Sequence, residues 1–141
     1  MSRTGPIWWT TEGGDAATIG LNGVTLATAR TSNSFSLEGY NQLAIYVDLT
    51  RTAATTVDIY LEYSDDDGTT WFRSQASSVA AGTETITDHL IQKTVAADDT
   101  FVHFMEVFGK LGRLVVDGTS GGASDTIIVD LHFGVSGVNN A

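Results

Sequence analysis

The chain has 141 residues, no cysteine and a formal net charge of −10 at pH 7. That length suits one domain with a real core, and the lack of thiols removes disulfides, thiolate metal sites and a cysteine nucleophile. The seven basic residues (Arg3, Arg30, Arg51, Arg73, Lys93, Lys110 and Arg113) are too scattered for nucleic-acid backbone binding, and no apolar run approaches the roughly 18 residues that span a bilayer. Met1–Pro6 lacks the apolar core of a secretory signal, so synthesis and retention in a cytoplasm-like compartment are expected.

Residues 1–17 read as an extended arm, broken by Gly5-Pro6 and by Gly13-Gly14-Asp15. Ile7, Trp8 and Trp9 stand in it with little else to bury. They either fold back over an open end of the domain or anchor a contact with another protein, since Trp is enriched at binding hot spots. From Thr18 to residue 141 the period is two. Ile19–Leu21 and Val24–Thr28 flank Asn22-Gly23, a hairpin signal. Phe35–Leu37 is a further short run. Leu43, Ile45, Val47 and Leu49 then alternate with polar residues, as do Val57, Ile59, Leu61 and Tyr63. With Arg51–Thr55 as the turn, these two read as a hairpin whose outward Tyr46 and Tyr60 are candidate cross-strand neighbours. Strands follow at Thr70–Gln75, Thr85–Thr87, Leu90–Val95, Phe101–Phe108, Leu114–Asp117 and Thr126–Val135. Ala76–Gly82 reads as a loop, and Gly118–Ser124 as a Gly-rich hairpin loop. The one segment with any helical possibility is Asp88–Lys93, a poor candidate between Thr87 and Thr94. About eight strands spaced by turns predict an all-β, two-sheet antiparallel sandwich of the jelly-roll kind.

Ser64-Asp65-Asp66-Asp67-Gly68-Thr69-Thr70-Trp71 is the motif most like a site. A calcium loop of the EF-hand type needs a Glu at its twelfth position, and counted from Asp65 that position is Ala76. A hairpin turn in which Asp side chains bond their own backbone, with Gly68 at positive φ, fits better. The spacing also resembles the Asp-box, a structural β-hairpin motif of sialidases and other propellers, present here once. His89, His103 and His132 show no ligand spacing; His103 and His132 lie in strands that could bring them together across a sheet, where a polar cross-strand pair is favoured over a metal site. The carboxylates Glu62, Glu106, Asp117 and Asp130 alternate with apolar residues and read as the solvent faces of strands. Glu106 sits in an apolar stretch and would need Lys110 or Arg113 as a partner if buried. No phosphate loop and no nucleophile elbow is present. No catalytic, cofactor or metal residue is therefore assigned.

The run Phe35–Val47, then Val57–Trp71 and the closing Asp125–Gly134 resemble small virion proteins of tailed bacteriophages, among them jelly-roll capsid decoration, or cement, proteins. That resemblance implies a non-enzymatic oligomer, usually a homotrimer. It would sit on the outer capsid surface of the virion, bridge major capsid proteins, and be made in the host cytoplasm. No nucleic acid or membrane is expected as partner. The expected contact residues are Ile7, Trp8 and Trp9 of the arm, with Tyr46 and Tyr60 as secondary candidates. The alternative is a carbohydrate- or receptor-binding sandwich module of a phage tail, in which aromatics and the Asp65–Asp67 loop contact a sugar.

Overall fold

Strict alternation over residues 42–50 makes one face of that segment Leu43, Ile45, Val47 and Leu49, and all four are buried. Each such side chain contributes about 1.5–3 kcal/mol when fully removed from water, so the segment is fixed as a core strand by pattern alone. A computed structural model describes residues 2–87 and 90–140 of the chain. It is all-β, with thirteen strands and one helical turn among the described residues. In chain order these are β1 (Ser2–Thr10), α1 (Ala16–Ile19), β2 (Asn22–Thr25), β3 (Arg30–Thr31), β4 (Phe35–Ser36), β5 (Gln42–Thr50), β6 (Thr56–Ser64) and β7 (Phe72–Arg73). They continue with β8 (Ala76–Ala80), β9 (Thr83–Thr87), β10 (Ile91–Thr94), β11 (Asp99–Glu106), β12 (Leu111–Thr119) and β13 (Thr126–Asn140).

Two antiparallel sheets face each other. The first runs β1-β13-β5-β11, with β2 also on β13; the second runs β10-β6-β12-β3, with β4 on β12 and β7 on β6. Taking β3 with β4, and β7 with β10, as single broken strands leaves β2-β13-β5-β11 over the β3/β4-β12-β6-β7/β10 sheet. That is the strand order of an eight-stranded jelly roll. β1 and the separate β8–β9 hairpin are additions to it. Between the sheets lie Leu43, Ile45, Ile59, Leu61, Leu114, Ile127, Leu131 and Phe133, all at most 2% exposed. Lys93 closes one side by pairing with Asp99 and lying over the Phe101 ring.

Several pairings differ from the sequence expectation. β5 and β6 do not form a hairpin, because Arg51–Thr55 carries the chain from one sheet to the other. Asp125 holds this crossing: its Oδ1 accepts the N–H groups of Thr52, Ala53 and Ala54 at 2.6, 2.9 and 3.1 Å, and its Oδ2 accepts Gly122 N–H at 2.8 Å. Those amides, Thr52 first, hold the carboxyl far below the usual carboxylate range. Gly118–Ser124 likewise crosses between sheets rather than closing a hairpin.

Ala16–Ile19, expected within a strand region and its arm boundary, forms a helical turn. Asp15 caps it, accepting from the Thr18 hydroxyl at 2.6 Å and from Thr18 N–H at 3.4 Å, and Gly20 ends it in the left-handed region. There is accordingly no hairpin about Asn22-Gly23. Ala76–Ala80, expected as a loop, is a strand paired with Thr83–Thr87. Of the segment weighed as helical, Ile91–Thr94 is a strand on β6, and Asp88 and His89 lie outside the described residues.

Candidate binding surface

β13 serves two partners in succession. Thr126–Gly134 pair with β5, and Phe133–Asn140 pair with β1. The segment expected as an arm therefore contains a strand, and beyond Gly134 the two strands run on as a ribbon without β5. Asn41 fastens the base of that ribbon, donating its N–H to Gly134 O at 3.0 Å and accepting Ser136 N–H at 2.8 Å.

On the outward face of the first sheet, Ala44 and Tyr46 of β5 stand beside His132 and Gly134 of β13 and Val102 and Phe104 of β11. Gly134 is required there: a Cβ on it would lie 2.9 Å from Trp9 Cε3 and 3.0 Å from Ile7 Cγ2. The missing side chain lets Ile7 and Trp9 lie across β13. Trp9 then meets Phe104 with ring centroids 5.9 Å apart, Phe104 meets Tyr46 edge-on at 6.5 Å, and Tyr46 packs on His132 at 4.3 Å. Such pairs contribute about 0.5–1.5 kcal/mol each beyond burial. Yet Phe104 stays 57% exposed, and Ile7, Trp9, Tyr46 and Val102 stay 38–39% exposed. The rings order one another without being covered. Tyr46, Asp48, Thr100, Val102, Ile128 and Asp130 line an adjoining depression of about 350 Å³. Trp8, at 70% exposure, projects from the other side of the ribbon, paired in register with Val135.

Of the five expected contact residues, the structure brings Ile7, Trp9 and Tyr46 onto one face. Trp8 stands nearby on the reverse of the ribbon. Tyr60 is not with them: β6 belongs to the second sheet, so Tyr60 lies on the opposite outer face and cannot neighbour Tyr46. There the Arg73 guanidinium sits 4.2 Å above its ring. Arg73 is held by Glu62 at 3.1 Å, Glu62 also binds Arg113 at 2.8 Å, and Arg113 covers the Trp71 ring at 4.3 Å.

The acidic turn is built from its own backbone. Asp66 Oδ1 accepts the Ser64 hydroxyl at 2.9 Å and Thr70 N–H at 2.7 Å, and the Thr70 bond leads in holding that carboxyl below its ordinary range. Ser64 Oγ accepts Gly68 N–H at 2.8 Å, and Trp71 Nε1 donates to Gly68 O at 3.1 Å. Asp67 and Gly68 take φ of 57° and 89°, and β7 returns to pair with β6. The Asp-box reading as a hairpin turn is thus the observed one.

His103 and His132 do not meet. They sit on β11 and β13 with β5 between, His103 facing inward opposite Ile45 and His132 outward opposite Ala44. Burial lowers the His103 pKa. Among the carboxylates, the buried one is Glu62 and not Glu106, which is exposed; Arg113 pairs with Glu62. Asp130 accepts Ala16 N–H at 2.8 Å.

Sequence reasoning missed Val102 and Phe104 as surface residues. The signal was present: both parities of Phe101–Phe108 carry apolar residues, so one set had to face outward. It also missed a second apolar opening of about 420 Å³ beside the acidic turn, lined by Tyr63, Asp65, Phe72, Phe108 and Lys110. Burial raises the Tyr63 pKa there. Comparison with known protein families and with curated proteins found no match to this chain.

Proposed function

We propose that this chain is a non-enzymatic structural protein of a phage virion that decorates and stabilises the outer capsid surface by binding major capsid proteins in several copies. The observation that carries the reading is the uncapped aromatic face formed by Ile7, Trp9, Tyr46, Val102 and Phe104, continued onto the ribbon that bears Trp8. A contiguous exposed apolar surface of this kind suits a macromolecular partner. The jelly-roll order of the strands agrees with the resemblance to decoration proteins. Cementing then acts by mass action, because a protein that binds only the assembled shell stabilises it, and several linked copies raise the effect. An averaged image of the particle tests it. Density for this chain on the outer shell, with the Trp9–Phe104 face against the capsid, is the expected result. Density inside the capsid, in the tail or nowhere on the particle overturns it.

A second reading, a carbohydrate- or receptor-binding tail module, is favoured by the opening beside the acidic turn, where Phe72 and Phe108 stand 57% and 72% exposed next to Asp65 and Lys110. Aromatic plates with a polar rim suit a sugar ring. Glycan-array binding that disappears in Phe72→Ala supports it, and a blank array with the fold intact removes it.

A further inference from the structure

β11 is the edge of the first sheet. It is eight residues long, pairs with β5 along its whole length without a bulge, and among the described residues no strand pairs with its other edge. Natural sheets protect such edges with Lys, Pro, bulges or covering loops. β11 reads Asp-Thr-Phe-Val-His-Phe-Met-Glu and carries no Lys, Arg or Pro. Lys93 reaches it from the second sheet, but it does so through Asp99 and the Phe101 ring on the inner face. The outer face of the same strand holds Val102 and Phe104, both exposed. Unpaired amides and carbonyls along an apolar strand recognise one thing well, which is another strand.

We infer that β11 pairs antiparallel with β11 of a second copy across a two-fold axis at His103, joining the two first sheets into one. The register follows from the residues. Paired residues share a face, so the axis of a self-pair must pass through a residue position. An axis at Val102 opposes Asp98 to Glu106, two like charges, and an axis at Phe104 opposes Val102 to Glu106. An axis at His103 pairs Val102 with Phe104 on the outer face, Phe101 with Met105 on the inner, and Thr100 with Glu106. No two carboxylates are opposed, and within Thr100–Glu106 each apolar residue meets an apolar one, with Asp99 falling opposite Val107 beyond the strand end. The pairing also carries the aromatic outer face of one copy onto that of the next. This inference goes beyond the decoration reading and does not depend on it; it differs from the three-fold assembly that the resemblance implies.

The test uses the 141-residue chain, whose lack of cysteine leaves a clean background. At tens of micromolar, light scattering is expected to give twice the 15.0 kDa chain mass. Val102→Lys, at an exposed edge position, is expected to lose the dimer while keeping the far-UV spectrum of the folded protein. His103→Cys sets two thiols directly opposite at the axis, with Cβ atoms about 4.5–5.5 Å apart, and is expected to form a disulfide dimer under mild oxidation. Thr100→Cys, which faces Glu106 of the other copy, is expected not to. A monomer or trimer mass for the unaltered protein overturns the inference. So does equal crosslinking through positions 100 and 103, or a dimer that Val102→Lys leaves intact.

Discussion

The two outer faces of this sandwich are written in the same alternating pattern and finished in opposite ways. On the outer face of the second sheet Arg73 covers Tyr60, Arg113 covers Trp71, and the buried Glu62 holds both guanidinium groups. Stacking and ion pairing there satisfy one another. On the first sheet Trp9, Phe104 and Tyr46 pack on one another with no cation over them among the described residues, and each keeps more than a third of its surface open. What separates the two faces is where the few basic residues of an acidic chain are placed.

Substitutions separate the two faces experimentally. The largest effect is expected from Asp125→Asn, because Asp125 ties the crossing that sets both sheets in place and its loss harms both faces together. The four amides stabilise its ionised form, so the folded pKa lies below the unfolded one of about 3.9. Its contribution is therefore complete above roughly pH 4 and is lost as the pH falls toward the folded value. Thermal midpoints measured from pH 7 to pH 2.5 should fall steeply at the acid end in the parent, and start lower and fall less in Asp125→Asn. Next comes Glu62→Ala, which strips the second sheet of its clamp and frees two cations. A loss of about 2 kcal/mol in urea denaturation is expected, and binding through the first sheet should be unchanged. Phe104→Ser should reverse that pattern, with stability within about 1 kcal/mol of the parent and at least about a tenfold loss of shell binding in co-sedimentation with capsids. The smallest effects separate the two tryptophans. Trp9→Ala, which uncovers Gly134 and Phe104, should cost about 1 kcal/mol of stability, whereas Trp8→Ala should cost under about 0.5 kcal/mol.

Much of the fold is legible in the residues. β5, β6 and β13 follow from period-two alternation, β11 and β12 from apolar runs between turns, and the jelly-roll class from their number and the turns between them. Their partners do not. An arch between two sheets and a hairpin within one present the same strand, turn, strand sequence, so Arg51–Thr55 gave no sign that Tyr46 and Tyr60 end on opposite sides. The deciding group is Asp125, some seventy positions away and unremarkable in its own neighbourhood. The candidate surface was half visible for the same reason. Ile7, Trp9 and Tyr46 stand out as residues, but their meeting depends on Gly134 and on the β1–β13 register, which only the closed sheet supplies.

That register also orders events during synthesis. Thr10 pairs with Phe133 and Ser2 with Asn140, so β1 is synthesised before β2 to β12 and its partner strand after them. While β2 to β12 assemble, Trp8 and Trp9 have nothing to lie on, and chaperones that hold exposed apolar segments have a target throughout that interval. The aromatic face is thus completed only after β13 has been made. A chain interrupted before β13 lacks it, and the finished surface reports that the whole strand order beneath it has formed.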